Sequence, residues 1–98
     1  MLIVIGSITA KPESFEVLKQ ACVDHTNRSR AEPGCISHAV HVDAEEPLRL
    51  FFFERWSDMD ALRTHFTTPG TATFLAAARE HAASSERITT YQADAIAP

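Results

Sequence analysis

The chain has 98 residues, 45% of them hydrophobic and 22% charged, with a formal net charge of −4. Those are the proportions of an ordinary globular protein, and one domain is what so short a chain builds. Its nine Lys and Arg residues are scattered from Lys11 to Arg87 with no basic cluster, which argues against nucleic acid or an anionic membrane as the main partner.

Leu2–Thr9 is β-branched and apolar, and reads as a first strand. It is not a signal peptide, because it lacks a positive leading region and breaks early at Gly6-Ser7 and Lys11-Pro12. No stretch approaches the roughly 18 apolar residues of a membrane span. Lys11-Pro12-Glu13-Ser14 stops the strand and starts a helix, with Pro near its first turn. Phe15, Leu18, Cys22, His25 and Ser29 recur at helical spacing and mark the buried stripe of that helix. Glu32-Pro33-Gly34 ends it, since Pro cannot continue a helix and Gly suits the turn.

Cys35–Val42 is a second strand, and Asp43-Ala44-Glu45-Glu46-Pro47 a turn. Leu48–Trp56 returns as a third strand. It carries Leu50, Phe52, Glu54 and Trp56 on one face, and Arg49, Phe51, Phe53 and Arg55 on the other. A strand apolar on both faces needs cover on both sides. Helices of the same chain can cover one face, and a second copy of the protein is the expected cover for the other. Ser57, with Asp60 three residues on, resembles a capping box opening a second helix whose apolar stripe is Met59, Leu62 and Phe66. Thr68-Pro69 restarts a helix with Thr71, Phe74, Leu75 and Ala78 facing inward, and Ser84-Ser85 ends it. Ile88–Ala95 reads as a fourth strand. The order strand, helix, strand, strand, helices, strand is the split βαβ or ferredoxin-like pattern of an α+β fold, with the first and third strands central and the helices on one face.

Three motifs, Glu32-Pro33-Gly34-Cys35, Phe53-Glu54-Arg55-Trp56-Ser57-Asp58 and Ala61-Leu62 with His65, resemble the antibiotic biosynthesis monooxygenase domain. The resemblance covers nearly the whole chain. It implies a homodimeric α+β barrel in which two ferredoxin-like sheets pack face to face. Members that resemble this chain include polyketide oxygenases without metal or flavin, quinol oxygenases, haem-degrading enzymes and an isomerase of a phosphorylated signalling molecule. The segment His65-Phe66-Thr67-Thr68-Pro69 also resembles that isomerase. Relatives often carry a second His just after the Ser/Thr-Pro, where this chain has Gly70.

The expected substrate-binding residues are Trp56, Phe52, Glu54 and Phe66, and the expected catalytic residues are His65 and His25. By resemblance, Trp56 lines a pocket between sheet and helices, where an indole beside Phe52 makes a flat wall for an aromatic substrate. Glu54 is either an acid–base group raised by burial or a structural partner of an Arg or a backbone amide, the second being favoured. His65 lies on the flank of the second helix's stripe, and His25 on the buried face of the first. His38 and His41 are oddly spaced on one strand and point to opposite faces, so they cannot share an ion, and no other Cys/His cluster has ligand spacing. No metal site is therefore expected. His81 is read as complementing the end of its helix, and Asn27 as solvated. No phosphate loop or nucleophile elbow is present. Cys22 and Cys35 suggest no disulfide framework, and two free thiols in a leaderless chain point to the cytoplasm.

The function expected from the resemblance is a cofactor-independent monooxygenase that oxidises a small electron-rich aromatic, a hydroquinone or anthrone-like phenol, with dioxygen. The alternatives are a small-metabolite isomerase of the same superfamily or a non-catalytic dimeric ligand-binding module.

Overall fold

A computed structural model describes the whole chain, Met1–Pro98. Strand β1 (Leu2–Ala10) leads through a short 3-10 turn (Pro12–Ser14) into helix α1 (Phe15–Ser29). Strands β2 (Cys35–Val42) and β3 (Arg49–Trp56) follow as a hairpin, then helices α2 (Met59–Phe66) and α3 (Pro69–His81), and strand β4 (Ala82–Gln92). The four strands form one antiparallel sheet in the order β2-β3-β1-β4. This is the ferredoxin-like α+β fold, with β1 and β3 in the middle as their two-sided apolar pattern requires.

The alternation of β3 sorts its side chains as its sequence does. Leu50, Phe52, Glu54 and Trp56 are buried beneath the helices, whereas Phe53, on the other face, is 38% exposed. Paired β1 residues continue the covered face, with Leu2 opposite Trp56, Val4 opposite Glu54 and Ile8 opposite Leu50. Gly6 stands opposite Phe52, and its missing side chain leaves room for Ile88: a Cβ there would lie 2.7 Å from Ile88 Cγ2.

The helices are set by their own stripes and caps. In α1, Leu18, Cys22, His25 and Ser29 are buried as their spacing predicts, and Thr26 joins them. The turn after α1 has Gly34 in the left-handed region (φ 84°), and a Cβ there would collide with Ala61 of α2. Only glycine meets both demands. The cap of α2 is Asp58, whose carboxylate accepts from the Ala61 amide at 2.9 Å, and not Ser57 as the capping-box reading had it. Asp58 stands three residues before that amide, the reach an N-cap needs. Thr68 caps α3 as expected, accepting from the Thr71 amide at 3.1 Å with Pro69 in the first turn.

Two further expectations are corrected. The buried residues of α2 are Leu62 and His65, while Met59 and Phe66 are 40% and 47% exposed. The helix is rolled so that its histidine faces the sheet. Strand β4 begins at Ala82 rather than Ile88, because Ala82, Ser84, Ser85 and Glu86 pair with Ala10, Thr9, Ile8 and Ser7 of β1. That small, polar stretch has little strand propensity of its own, and long-range pairing decides it.

The apolar core has two parts. One joins Ala10, Leu18, Cys22, Leu50 and Phe52, and the other joins Leu2, Val4, Trp56 and Leu62. Between them lie the buried polar residues His25, Thr26, His38, Glu54 and His65. No helix is long and apolar enough to cross a membrane.

Candidate active site

Three elements each deliver one imidazole to the same point. His25 comes from the sheet-facing stripe of α1, His65 from the inner face of α2, and His38 from β2. All three are at least 95% buried. Their ring centroids are 5.1 to 5.7 Å apart, and one nitrogen from each ring lies within 4.8 Å of the other two.

Each ring has a different partner. His65 Nδ1 lies 3.0 Å from the Glu32 carboxylate, an acceptor, so Nδ1 is the donor in this contact. His38 Nδ1 lies 3.1 Å from the Thr26 hydroxyl. Its Nε2 approaches Glu54 Oε1 at 3.3 Å without hydrogen-bond geometry. His25 stacks on Phe74 at 4.4 Å, and its Nδ1 is buried with no hydrogen-bond partner. Burial, then the neighbouring His38 and His65, push the His25 pKa down to about 4, which keeps it neutral at neutral pH.

Glu54 accepts a hydrogen bond from the Trp56 indole N–H at 2.9 Å. Burial alone would raise its carboxyl, but the contacts with His38 and Trp56 outweigh that and hold it below the usual carboxylate range. The partner is neither the Arg nor the backbone amide of the structural reading. Cys22 beside the site is packing, its thiol pushed up to about 12 by burial.

A cavity of about 490 Å³ opens in front of His25, His65 and Glu54, between the sheet and α3. That is room for a small ring system. Phe52, Phe74, Ile8 and Ile88 form much of its wall, while Arg79 and Glu86 are its charged residues remote from the histidines. Phe66 contributes to the wall despite its exposure. Trp56 is fully buried and lies outside the wall. Its ring supports His65 from behind, at 4.7 Å, so the expectation of an indole wall is replaced by one of Phe rings.

Sequence reasoning brought His25, His65, Glu54, Phe52 and Phe66 to the site but passed over His38. The strand-parity argument against a His38–His41 pair holds, since His41 is exposed. His38 instead meets histidines from two helices. The signal was the hairpin register: Val42 opposite Leu50 puts His38 opposite Glu54 on the covered face. Gly70 has its own structural setting. Arg28 donates to its carbonyl at 3.2 Å, and a Cβ at position 70 would lie 2.7 Å from Arg28 Nε. The guanidinium thus fills the space that a side chain at position 70 would need.

The chain belongs to the antibiotic biosynthesis monooxygenase family, whose model matches residues 1–80. That span contains all the histidines of the cluster and both carboxylates. Its fold is similar to that of a candidate antibiotic biosynthesis monooxygenase from Deinococcus radiodurans, with a TM-score of 0.93 and 27% identity over 100% of this chain and 97% of that one. A Pseudomonas aeruginosa protein is also similar, with a TM-score of 0.87 and 28% identity over 96% and 94% of the two chains. Among curated proteins, an uncharacterized protein of Synechocystis is 41% identical over 71 residues, 69% of this chain. The match spans 46% of that relative's length.

Proposed function

We propose that this chain is a monooxygenase that oxidises a small electron-rich aromatic, a hydroquinone or anthrone-like phenol, with dioxygen. The carrying observation is the apolar cavity that ends on two buried imidazoles, His25 and His65. Phe52 and Phe74 give a flat substrate ring faces and edges to pack on. His65 takes the phenolic proton, since the depressed pKa of His25 makes that ring the weaker base, and the link from His65 to Glu32 fixes the ring and shares the positive charge. The substrate anion is far easier to oxidise than the phenol. It passes an electron to dioxygen, the radical pair collapses to a peroxide, and loss of water leaves a carbonyl. One oxygen atom stays in the product and the other leaves as water, so the substrate supplies the electrons that a flavin would otherwise carry. The protein supplies deprotonation, orientation and a dry site.

The isomerase alternative needs a phosphate contact, and Arg79 is the one Lys or Arg in the cavity wall. Exposed apolar residues on the sheet's uncovered face support a second element of the reading, a homodimer formed through that face. Two unpaired thiols, Cys22 and Cys35, fit a reducing cytoplasm.

The test is turnover of an anthrone-like phenol under isotopically labelled dioxygen. Incorporation of one labelled atom into the quinone, lost in His65→Ala protein that remains folded, is the expected result. Product carrying no label, or formed equally without protein, would refute the reaction.

A further inference from the structure

We propose that His25, His38 and His65 form a binding site for one divalent first-row transition ion at the inner end of the cavity. Four features of the cluster support this.

The first is spacing. One nitrogen per ring lies within 4.8 Å of the other two. Three imidazoles on a tetrahedral ion at about 2.0–2.1 Å have nitrogens roughly 3.4 Å apart. The rings therefore need to approach one another by about 1 Å to reach that distance.

The second is the pair of buried nitrogens that make no hydrogen bond of good geometry, His25 Nδ1 and His38 Nε2, the latter beside Glu54 Oε1 at 3.3 Å. Buried polar atoms are almost always satisfied, and an orphan calls for a missing partner. Both belong to rings that, with His65, each place one nitrogen within 4.8 Å of the others, so an ion held among the three rings would give them a partner.

The third is the outer set of contacts. Ligating histidines usually engage their second ring nitrogen with a carboxylate or another oxygen, which fixes tautomer and aim. Glu32 does this for His65, and Thr26 for His38. The Thr26 hydroxyl can donate or accept, so it tolerates whichever tautomer frees His38 Nε2.

The fourth is the open side. Glu54 lies 3.3 Å from His38 Nε2 and, like His25 and His65, faces the cavity. A site with three protein ligands, a carboxylate at its edge and an open position toward a cavity has the layout of a catalytic rather than a structural metal centre. Neutral imidazole donors suit zinc, copper, iron or nickel, and the two nearby carboxylates favour a cation over an anion.

Metal binding itself does not depend on the oxygenase reading, but its consequence for catalysis rests on that reading. With an ion bound, His25 and His65 are no longer free bases. The ion would instead hold the substrate's phenolic oxygen and favour its anion, as a Lewis acid does.

The experiment is titration of chelator-treated, full-length protein with Co²⁺, followed by its visible d–d absorption, and with Zn²⁺ by calorimetry. One ion per chain is expected, with Co²⁺ bands of low-coordination geometry that Zn²⁺ displaces. His38→Gln, outside the cavity wall, should abolish these bands, and Glu32→Gln should weaken binding about 10- to 100-fold. Nitrogen NMR of the wild-type imidazoles keeps the test independent of variant folding. Zn²⁺ should shift His25, His38 and His65 and leave His41 and His81 unchanged. No saturable binding, or shifts confined to His41 and His81, would overturn the proposal. Oxygen uptake by metal-free and by metal-loaded protein tests the reaction separately. Binding without turnover in either form keeps the site and removes the oxygenase reading, while turnover without binding does the reverse.

Discussion

Trp56 and Glu54 depend on each other. The indole N–H gives the buried carboxylate one of its few partners, and the carboxylate in turn anchors the ring against His65. Trp56→Phe keeps most of the packing but removes that donor, so it should cost about 1–3 kcal/mol in urea unfolding. A wild-type midpoint would show that Glu54 finds another partner. His25 gives a prediction with a definite sign. Its folded pKa of about 4 lies below its ordinary 6.5, so between those values the unfolded chain binds more protons. Stability from this group is complete above pH 6.5 and falls as the pH drops toward 4, by up to about 3 kcal/mol. His25→Phe should flatten that part of the curve for metal-free protein, and an unchanged acid limb would contradict it. These histidines were unequally legible. Helical spacing placed His25 on a buried face and His65 beside one. The role of His38 depends on a strand register and two separate helices, which no local pattern reports.

Among the elements, α2 shows how one residue can redirect a reading. Ser57 and Asp60 resemble a capping box, yet the amide that needs a partner belongs to Ala61, and Asp58 supplies it. Asp58→Ala should therefore cost about 1 kcal/mol, while Ser57→Ala should cost a few tenths at most. Equal losses in thermal unfolding would mean that the cap is shared. The stripe of α1, the Thr68-Pro69 start of α3 and the alternation of β3 followed local signals, whereas Leu75 of α3, read as inward-facing, is 44% exposed and the helix ends at His81 rather than at Ser84-Ser85. Strand β4 did not follow such a signal. Ala82–Arg87 has no strand pattern of its own and is extended because β1 offers it a pairing edge. The roll of α2 was hidden for a related reason. Its two large apolar residues, Met59 and Phe66, suggested a stripe, but the sheet below accepts Leu62 and His65.

At the scale of the whole molecule, the sheet has one face packed by helices and one without cover from its own chain. Ile3, Ile5 and Phe51 are half-buried there and Phe53 is 38% exposed. Exposed apolar patches of this kind mark association sites in small proteins, and the proposed dimer would use this one. We expect sedimentation to give a dimer, and Phe53→Glu to shift it toward monomer while far-UV circular dichroism stays native. A wild-type monomer at micromolar concentration would refute the dimer. The covered face holds the candidate site, where two apolar clusters leave a polar band between them and the cavity opens onto that band. The most direct test of that arrangement is oxygen uptake by metal-stripped protein with a panel of hydroquinones and anthrone-like phenols. His65→Ala and a cavity-filling Ala78→Phe variant serve as controls. Uptake above autoxidation that falls at least tenfold in both folded variants is the expected result. Uptake at the background rate across the panel with metal-stripped and metal-reloaded protein alike, or uptake unaffected by either substitution, would show that this cavity does not oxidise such aromatics.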